Sequence, residues 1–197
     1  MADAKVVLFS ALDRDLEQLV LSKAHPGMNV VSAPLSMDDG EKVKLVADAD
    51  FLMVWPARLS DAVLRAATKC KLLQVLSAGY DRLNLTLAGE LGIPVANNGG
   101  ANSVAVAEHT VMLILACYRR MFHYATLVKA GGWRLVKDRG VDVFELEGKT
   151  VGLIGMGNIA QQVAKRLRAF DTTLQYFDRY RPPMPDQDGA LGVRAVS

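Results

Sequence analysis

Cysteine, histidine and net charge are all scarce in this chain, and each scarcity removes a class of chemistry. The 197 residues include only two cysteines, Cys70 and Cys117, and these lack the paired spacing of a metal knuckle or a redox motif. Each lies in an apolar stretch, so both are expected as buried, reduced thiols. Of the three histidines, His25 and His123 have no partner at metal-ligand spacing. His109 adjoins Glu108 in an apolar segment; neighbours on a helix project to different faces, so these two are expected in structural contacts rather than as a dyad. No metal site and no serine or cysteine nucleophile motif is found. A formal net charge of +2 provides no basic stripe for nucleic acid and no charged tail. The longest apolar run, residues 111–117, is too short to cross a bilayer, and the apolar stretch ending at Phe9 is too short for a signal peptide. These absences imply a soluble, reduced, cytoplasmic protein with no nucleic-acid or membrane partner.

What is present is a hydrophobic content of 51% with 22% charged residues, ordinary for a globular protein. Strand-like and helix-like segments alternate through the first hundred residues. Strands are expected at 5–10, 28–31, 51–54, 72–76 and 93–95, with helices capped by Asp13 and Ser60 and others over 38–47 and 83–91. Such alternation implies a parallel sheet with helices on its faces. Asn97-Asn98-Gly99-Gly100 is the clearest punctuation and the best boundary. After it, Ser103 is positioned to cap one long helix through Arg120, apolar nearly all round and so expected to be buried on every face. Gly131-Gly132 and the charged residues 137–139 form a loop, and a second parallel sheet begins at Lys149.

The richest motif is Gly155-Met156-Gly157-Asn158-Ile159-Ala160. An apolar run, 150–154, precedes it, and Ile159, Val163, Leu167 and Phe170 follow at helical spacing. Strand, glycine turn and helix form the context of a dinucleotide fingerprint. Gly155 permits the tight turn, Gly157 the approach of a pyrophosphate, and Ala160 close helix–strand packing. Asn158 and Ile159 are placed to offer the first N–H groups of the helix to phosphate oxygens. Asp178 closes the next apolar run, where a carboxylate can accept hydrogen bonds from an adenosine ribose. A 2′-phosphate would meet like charge there, which favours NAD over NADP, with Arg179 offsetting part of that repulsion.

Two further positions are candidates for an anionic substrate. The loop from Leu76 to Asp81 follows a strand, and small residues there leave backbone N–H groups free for an anion such as a carboxylate. An ordinary strand-to-helix turn would look similar. Asn102 precedes the long helix, at the expected mouth of a cleft between two domains, and its local pattern fits a helix-cap neighbour equally well.

These residues together resemble the D-isomer-specific 2-hydroxyacid dehydrogenase family. The resemblance is carried by residues 71–84, by Gly92-Ile93-Pro94-Val95-Ala96-Asn97, by Val106-Ala107-Glu108-His109-Thr110, by Gly131-Gly132-Trp133, by residues 146–157 and by Tyr176-Phe177-Asp178-Arg179. It is strong over residues 71–193 and diffuse before them. It implies an α/β fold: a flavodoxin-like substrate domain over residues 1–101, then over 102–197 the first part of a Rossmann NAD-binding domain, incomplete at its C-terminus. It implies NAD as cofactor and a small 2-oxo or 2-hydroxy carboxylic acid as substrate. A homodimer formed largely by the cofactor domains is implied for the complete protein. Ala78 and Gly79 match the loop whose backbone holds the substrate carboxylate, and Asn102 matches a substrate-contacting asparagine. Gly155, Met156, Gly157, Asn158, Ile159, Asp178 and Arg179 match the cofactor-binding set. Tyr80 stands where many members carry a smaller aliphatic residue, which bears on pocket size.

The family's catalytic arginine, glutamate and histidine would fall beyond Ser197, so no catalytic residue is assigned. The resemblance thus implies an NAD-dependent oxidoreductase present as an incomplete chain, expected not to turn over alone and to expose a sheet edge and apolar faces. Two alternatives stay open: an NAD-binding regulator on the same fold, like the corepressors that resemble this family, and an inactive truncated product.

Overall fold

The computed structural model describes residues 4–132 and 143–196. The chain divides into two compact units, Met1–Ala101 and Asn102–Ser197. Trp133 and the charged residues 137–139 lie outside the described residues.

In the first unit strands and helices alternate: β1 (Ala4–Ser10), α1 (Arg14–Leu21), β2 (Met28–Pro34), α2 (Asp39–Val46), β3 (Phe51–Trp55), α3 (Asp61–Ala66), β4 (Leu72–Val75), α4 (Leu85–Glu90) and β5 (Val95–Ala96). Side-chain caps start the helices. Asp13 accepts the Leu16 N–H at 2.9 Å, Asp38 that of Gly40 at 2.8 Å, and Asn84 that of Leu87 at 3.0 Å; each satisfies a donor that the first turn leaves orphaned. All strands are parallel, in the order β2-β1-β3-β4-β5, the flavodoxin-like arrangement.

Register explains which face is core. Val31, Val7, Leu52, Leu73 and Val95 are partners across all five strands, and Ala33, Phe9, Val54 and Val75 form a second row. Residues two apart share a face, so both rows meet the same side. There Val46, Val63, Leu64 and Leu87 join them in one buried cluster. β2 continues past Val31, where the sequence suggests an end, to Pro34. An edge strand tolerates a residue without an N–H.

The second unit contains α5 (Ser103–Tyr118), α6 (Met121–Lys129), β6 (Thr150–Ile154), α7 (Asn158–Leu167) with a terminal 3-10 turn, β7 (Thr173–Phe177), α8 (Pro185–Leu191) and β8 (Val193–Ala195). Its strands are parallel in the order β6-β7-β8. Val151, Leu174 and Val193 align, as do Leu153, Tyr176 and Ala195, and this side packs with Ala107, Val111, Val163 and Leu167. The opposite side is open in this chain: Ile154 is 96% exposed and its partner Phe177 48%.

Three expectations are corrected here and one helix is added. The helix after the boundary ends at Tyr118, close to the expected Arg120; Arg120 adopts left-handed dihedrals (φ 47°, ψ 40°), and a second helix that the sequence did not suggest starts at Met121. No glycine or proline marks that break in sequence. α5 is not buried all round. Ala107, Val111 and Ala116 line one buried stripe, whereas Val104, Met112 and Leu113 are exposed, so all-round apolarity here marks an uncovered face. Ser103 is the buried first residue of α5 rather than its cap. Finally, Cys117 is exposed and Cys70 only half-buried; Cys117 lies outside the Ala107–Val111–Ala116 stripe. α8 and β8 have no counterpart in the sequence reading, although Pro185 at the first helical position and Gly192, left-handed at φ 66°, are the signals that open and close α8.

Candidate functional site

The site in the second unit is built where β6 and β7 end side by side. Gly155 follows β6 with φ +88°, a conformation that L side chains resist. Its N–H donates to the Phe177 carbonyl at 2.7 Å, which carries the β6–β7 pairing one residue beyond the strands. That register sets the next residue on each chain face to face. The Met156 N–H donates to Asp178 Oδ2 at 2.7 Å, so the glycine turn and the strand-end acid meet directly. Met156 itself is buried and fixes the turn from below.

Asp178 is the hub of this turn. Its Oδ1 accepts the N–H groups of Tyr180 at 2.8 Å and Arg181 at 2.9 Å. Three backbone donors, from Arg181, Met156 and Tyr180, therefore hold the carboxyl below its ordinary pKa, since each bond favours the charged form. An ionised carboxylate has about four acceptor positions. Three are used by the backbone, and Oδ2 keeps capacity for a ligand hydroxyl.

α7 begins at once, with Gly157 as its N-cap and no side chain capping the first turn. Its leading N–H groups, those of Asn158 and Ile159, lack the side-chain acceptor that most helices provide, and the positive end of the helix dipole lies there. Gly157 has an ordinary negative φ of −78°, and a Cβ built on it would meet no atom within 4 Å. Glycine at this position therefore keeps space clear in front of the helix rather than relieving backbone strain. Open space, uncapped N–H groups and an ionised acid together fit a dinucleotide's pyrophosphate and adenosine ribose. Arg179 is exposed, with its guanidinium 5.5 Å from the Tyr180 ring centroid.

Arg181, missed by sequence reasoning, is tied to this turn by its backbone but directed away by its side chain. Its Nη2 lies 3.0 Å from Asp188 Oδ1, and its guanidinium packs 5.4 Å from the Tyr176 ring centroid. Asp188 Oδ2 accepts the Tyr176 hydroxyl at 2.8 Å and the Met184 N–H at 3.0 Å. Burial alone would raise the Asp188 carboxyl, but the Tyr176 hydroxyl, the Met184 amide and Arg181 outweigh it and hold it low. Burial, then the bond to Asp188, pushes the Tyr176 hydroxyl up.

In the first unit the loop after β4 is fixed by its carbonyls. Asn97 Nδ2 donates to the Ala78 carbonyl at 2.7 Å, the Ser77 hydroxyl to that of Gly79 at 2.9 Å, and the Asn98 N–H to that of Ser77 at 3.1 Å. The N–H groups of Ala78 and Gly79 have no acceptor among the described residues, the condition an anion-binding loop requires. Asn102 opens the second unit and is exposed; its side chain makes no capping bond, which removes the helix-cap explanation for it. Glu108 pairs with Arg166 at 2.9 Å, joining α5 to α7, rather than with His109.

A cavity of about 640 Å³ near the C-terminal ends of β1, β2 and β3 was also not foreseen. Lys42, Arg58 and Arg82 line it with Ser60 and Leu35, and Lys42 is paired with Asp39 at 3.1 Å. Its position, where the strand order reverses between β1 and β3, is where open α/β sheets place ligands; the basic residues themselves have no shared sequence spacing. Among the described residues no cluster of metal-ligating side chains occurs, and no helix is long and apolar enough to cross a membrane.

Residues 6–178 match the model of the D-isomer specific 2-hydroxyacid dehydrogenase catalytic domain. A hydroxypyruvate reductase of Thermotoga maritima is 34% identical over 183 residues, which cover 92% of this chain and 58% of the relative. A formate dehydrogenase of Chaetomium thermophilum is 38% identical over 144 residues, 72% of this chain and 38% of the relative. Among solved structures, a Granulicella formate dehydrogenase aligns with a TM-score of 0.72 at 31% identity, over 93% of this chain and 47% of that one. The chain thus spans 38% and 58% of the length of these two curated relatives.

Proposed function

The chain belongs to the D-isomer specific 2-hydroxyacid dehydrogenase family, and from that membership we propose that it serves an oxidoreductase passing hydride between NAD(H) and a small 2-oxo or 2-hydroxy acid. The observation that carries the cofactor half is the 2.7 Å bond between the Met156 N–H and Asp178, because it joins the phosphate-facing turn to the ribose-facing acid. In this reading the leading N–H groups of α7, those of Asn158 and Ile159, hold the pyrophosphate. Gly155 shapes the turn, Gly157 keeps the approach open, and Asp178 accepts the adenosine ribose hydroxyls. Its negative charge favours NAD over NADP, with Arg179 beside it. When bound, the nicotinamide supplies hydride transfer to or from C2 of the acid.

The substrate half rests on the Ala78 and Gly79 N–H groups, which orient a carboxylate by two-point hydrogen bonding. Asn102 contributes a polar side chain committed to no helix cap. The proton-transfer and carbonyl-polarising roles are assigned to no residue of this chain. The assembly proposed is a homodimer through the second unit. Its α5–α6 surface supports that, because Met112, Met121 and Val128, all exposed, line an apolar groove of about 770 Å³ and Phe122 is exposed on the same helix pair, the kind of contiguous apolar surface that marks a protein contact.

Calorimetric titration of the purified chain with NAD tests the cofactor half, with Gly157→Arg as control. Saturable binding that the control lacks is expected. Equal binding by both proteins would sink the reading.

A further inference from the structure

Resting on the reading of the glycine turn and Asp178 as an adenosine site, we propose that Asp188 is a specificity-determining positioning residue. It holds the Arg181 guanidinium away from the ribose 2′ position and so keeps a 2′-phosphorylated dinucleotide from binding well.

Arg181 is well placed to read a 2′-phosphate. Its N–H donates to Asp178 Oδ1 at 2.9 Å, so its backbone borders the acid that would take the ribose hydroxyls. An arginine near that acid accommodates a 2′-phosphate in dinucleotide folds, and the guanidinium fork matches phosphate geometry. The side chain is nevertheless withdrawn. It is 14% exposed and Asp188 8%, it stacks over Tyr176, and it reaches the Gln187 side chain at 3.4 Å. Asp188 is itself immobilised, because its other oxygen takes both the Tyr176 hydroxyl and the Met184 N–H.

The clamp is poised rather than saturated. The 3.0 Å contact to Asp188 is an ion pair without hydrogen-bond geometry, and the buried Nη1 has no acceptor among the described residues. An unsatisfied buried donor costs free energy that release to a phosphate would recover. The negative charge of Asp188 is what opposes that release. Replacing Asp188 with Asn keeps an acceptor for Tyr176 and Met184 but removes the charge that retains Arg181. Arg179 is present in every variant compared, so its effect cancels.

The test measures NAD and NADP affinities by calorimetry for the whole chain, with thermal midpoints for each protein. Asp188→Asn is expected to narrow the preference for NAD about tenfold, the scale of one charge-assisted contact, mainly by tighter NADP binding. Adding Arg181→Met should abolish that gain, while Arg181→Met alone leaves the wild-type preference unchanged. An unchanged preference in a folded Asp188→Asn protein overturns the clamp, as does a gain that survives Arg181→Met. If Asp188→Asn does not fold, Arg181→Met alone decides: weaker NADP binding would mean Arg181 already reaches the phosphate. Wild-type protein that binds neither nucleotide overturns the underlying adenosine-site reading instead.

Discussion

Met156 donates its backbone N–H to Asp178 Oδ2 across 2.7 Å and a sequence separation of 22 residues. This bond closes the glycine turn against the end of the neighbouring strand. It also makes the acid a structural member of the turn before any ligand arrives.

Asp178→Asn should therefore weaken binding and flatten the acid-side loss of stability together. NAD affinity is expected to fall about tenfold, as for loss of a charge-assisted hydrogen bond. The carboxyls of Asp178 and Asp188 both titrate below their unfolded values. Depressed carboxyls contribute stability that is fully present above the unfolded pKa, about 3.9, and is lost as pH falls through the folded one. Urea midpoints from neutral to about pH 2 should show an acid-side decline that is shallower in Asp178→Asn. An identical decline in both proteins would contradict this account.

The two turn glycines should respond differently to alanine. Gly155 needs its positive φ, so Gly155→Ala should destabilise the second unit by about 1–2 kcal/mol. Gly157→Ala meets neither strain nor clash. It should leave the thermal midpoint within a degree or two and yet weaken NAD binding, because the new methyl occupies space kept for the pyrophosphate. Parallel thermal melts and NAD titrations separate the cases, and equal melting losses would count against the assignment.

Asn102→Ala should not weaken the helix it precedes. Cap substitutions ordinarily cost about 1 kcal/mol, but this side chain makes no cap bond. Unchanged helicity and stability by circular dichroism are expected. A loss of cap size would return Asn102 to a structural role.

Phe122, 70% exposed on α6, provides a probe of self-association. Phe122→Glu should shift the sedimentation behaviour of the chain toward monomer at fixed concentration, by placing a charge in an apolar contact. Wild-type protein that is monomeric at every concentration would refute the dimer.

Local rules in the sequence located most of the first unit. Asp13 and Ser60 each cap the helix they precede, and short, nearly continuous apolar runs mark β3 and β4 because a strand inside a parallel sheet is covered on both faces; that Asp38 and Asn84 are caps emerges only from their contacts. The glycine turn was legible for the same reason: its conformational demand lies on the residue itself. α5 misled because apolarity reports a face that should be covered, without stating whether this chain covers it. α8 was missed although Pro185 and Gly192 bracket it, since its short span carries little apolar periodicity.

By itself the sequence determined the alternation of strands and helices, the caps, the glycine turn and the acid that follows it. These are properties of residues and of their near neighbours. Tertiary structure alone decided that Asp178 meets Met156, that Arg181 turns to Asp188 and Tyr176, and that a second helix follows a left-handed Arg120. The first two depend on the β6–β7 register and on where α8 packs, and such long-range placements are set by the summed packing of both elements rather than by any local preference.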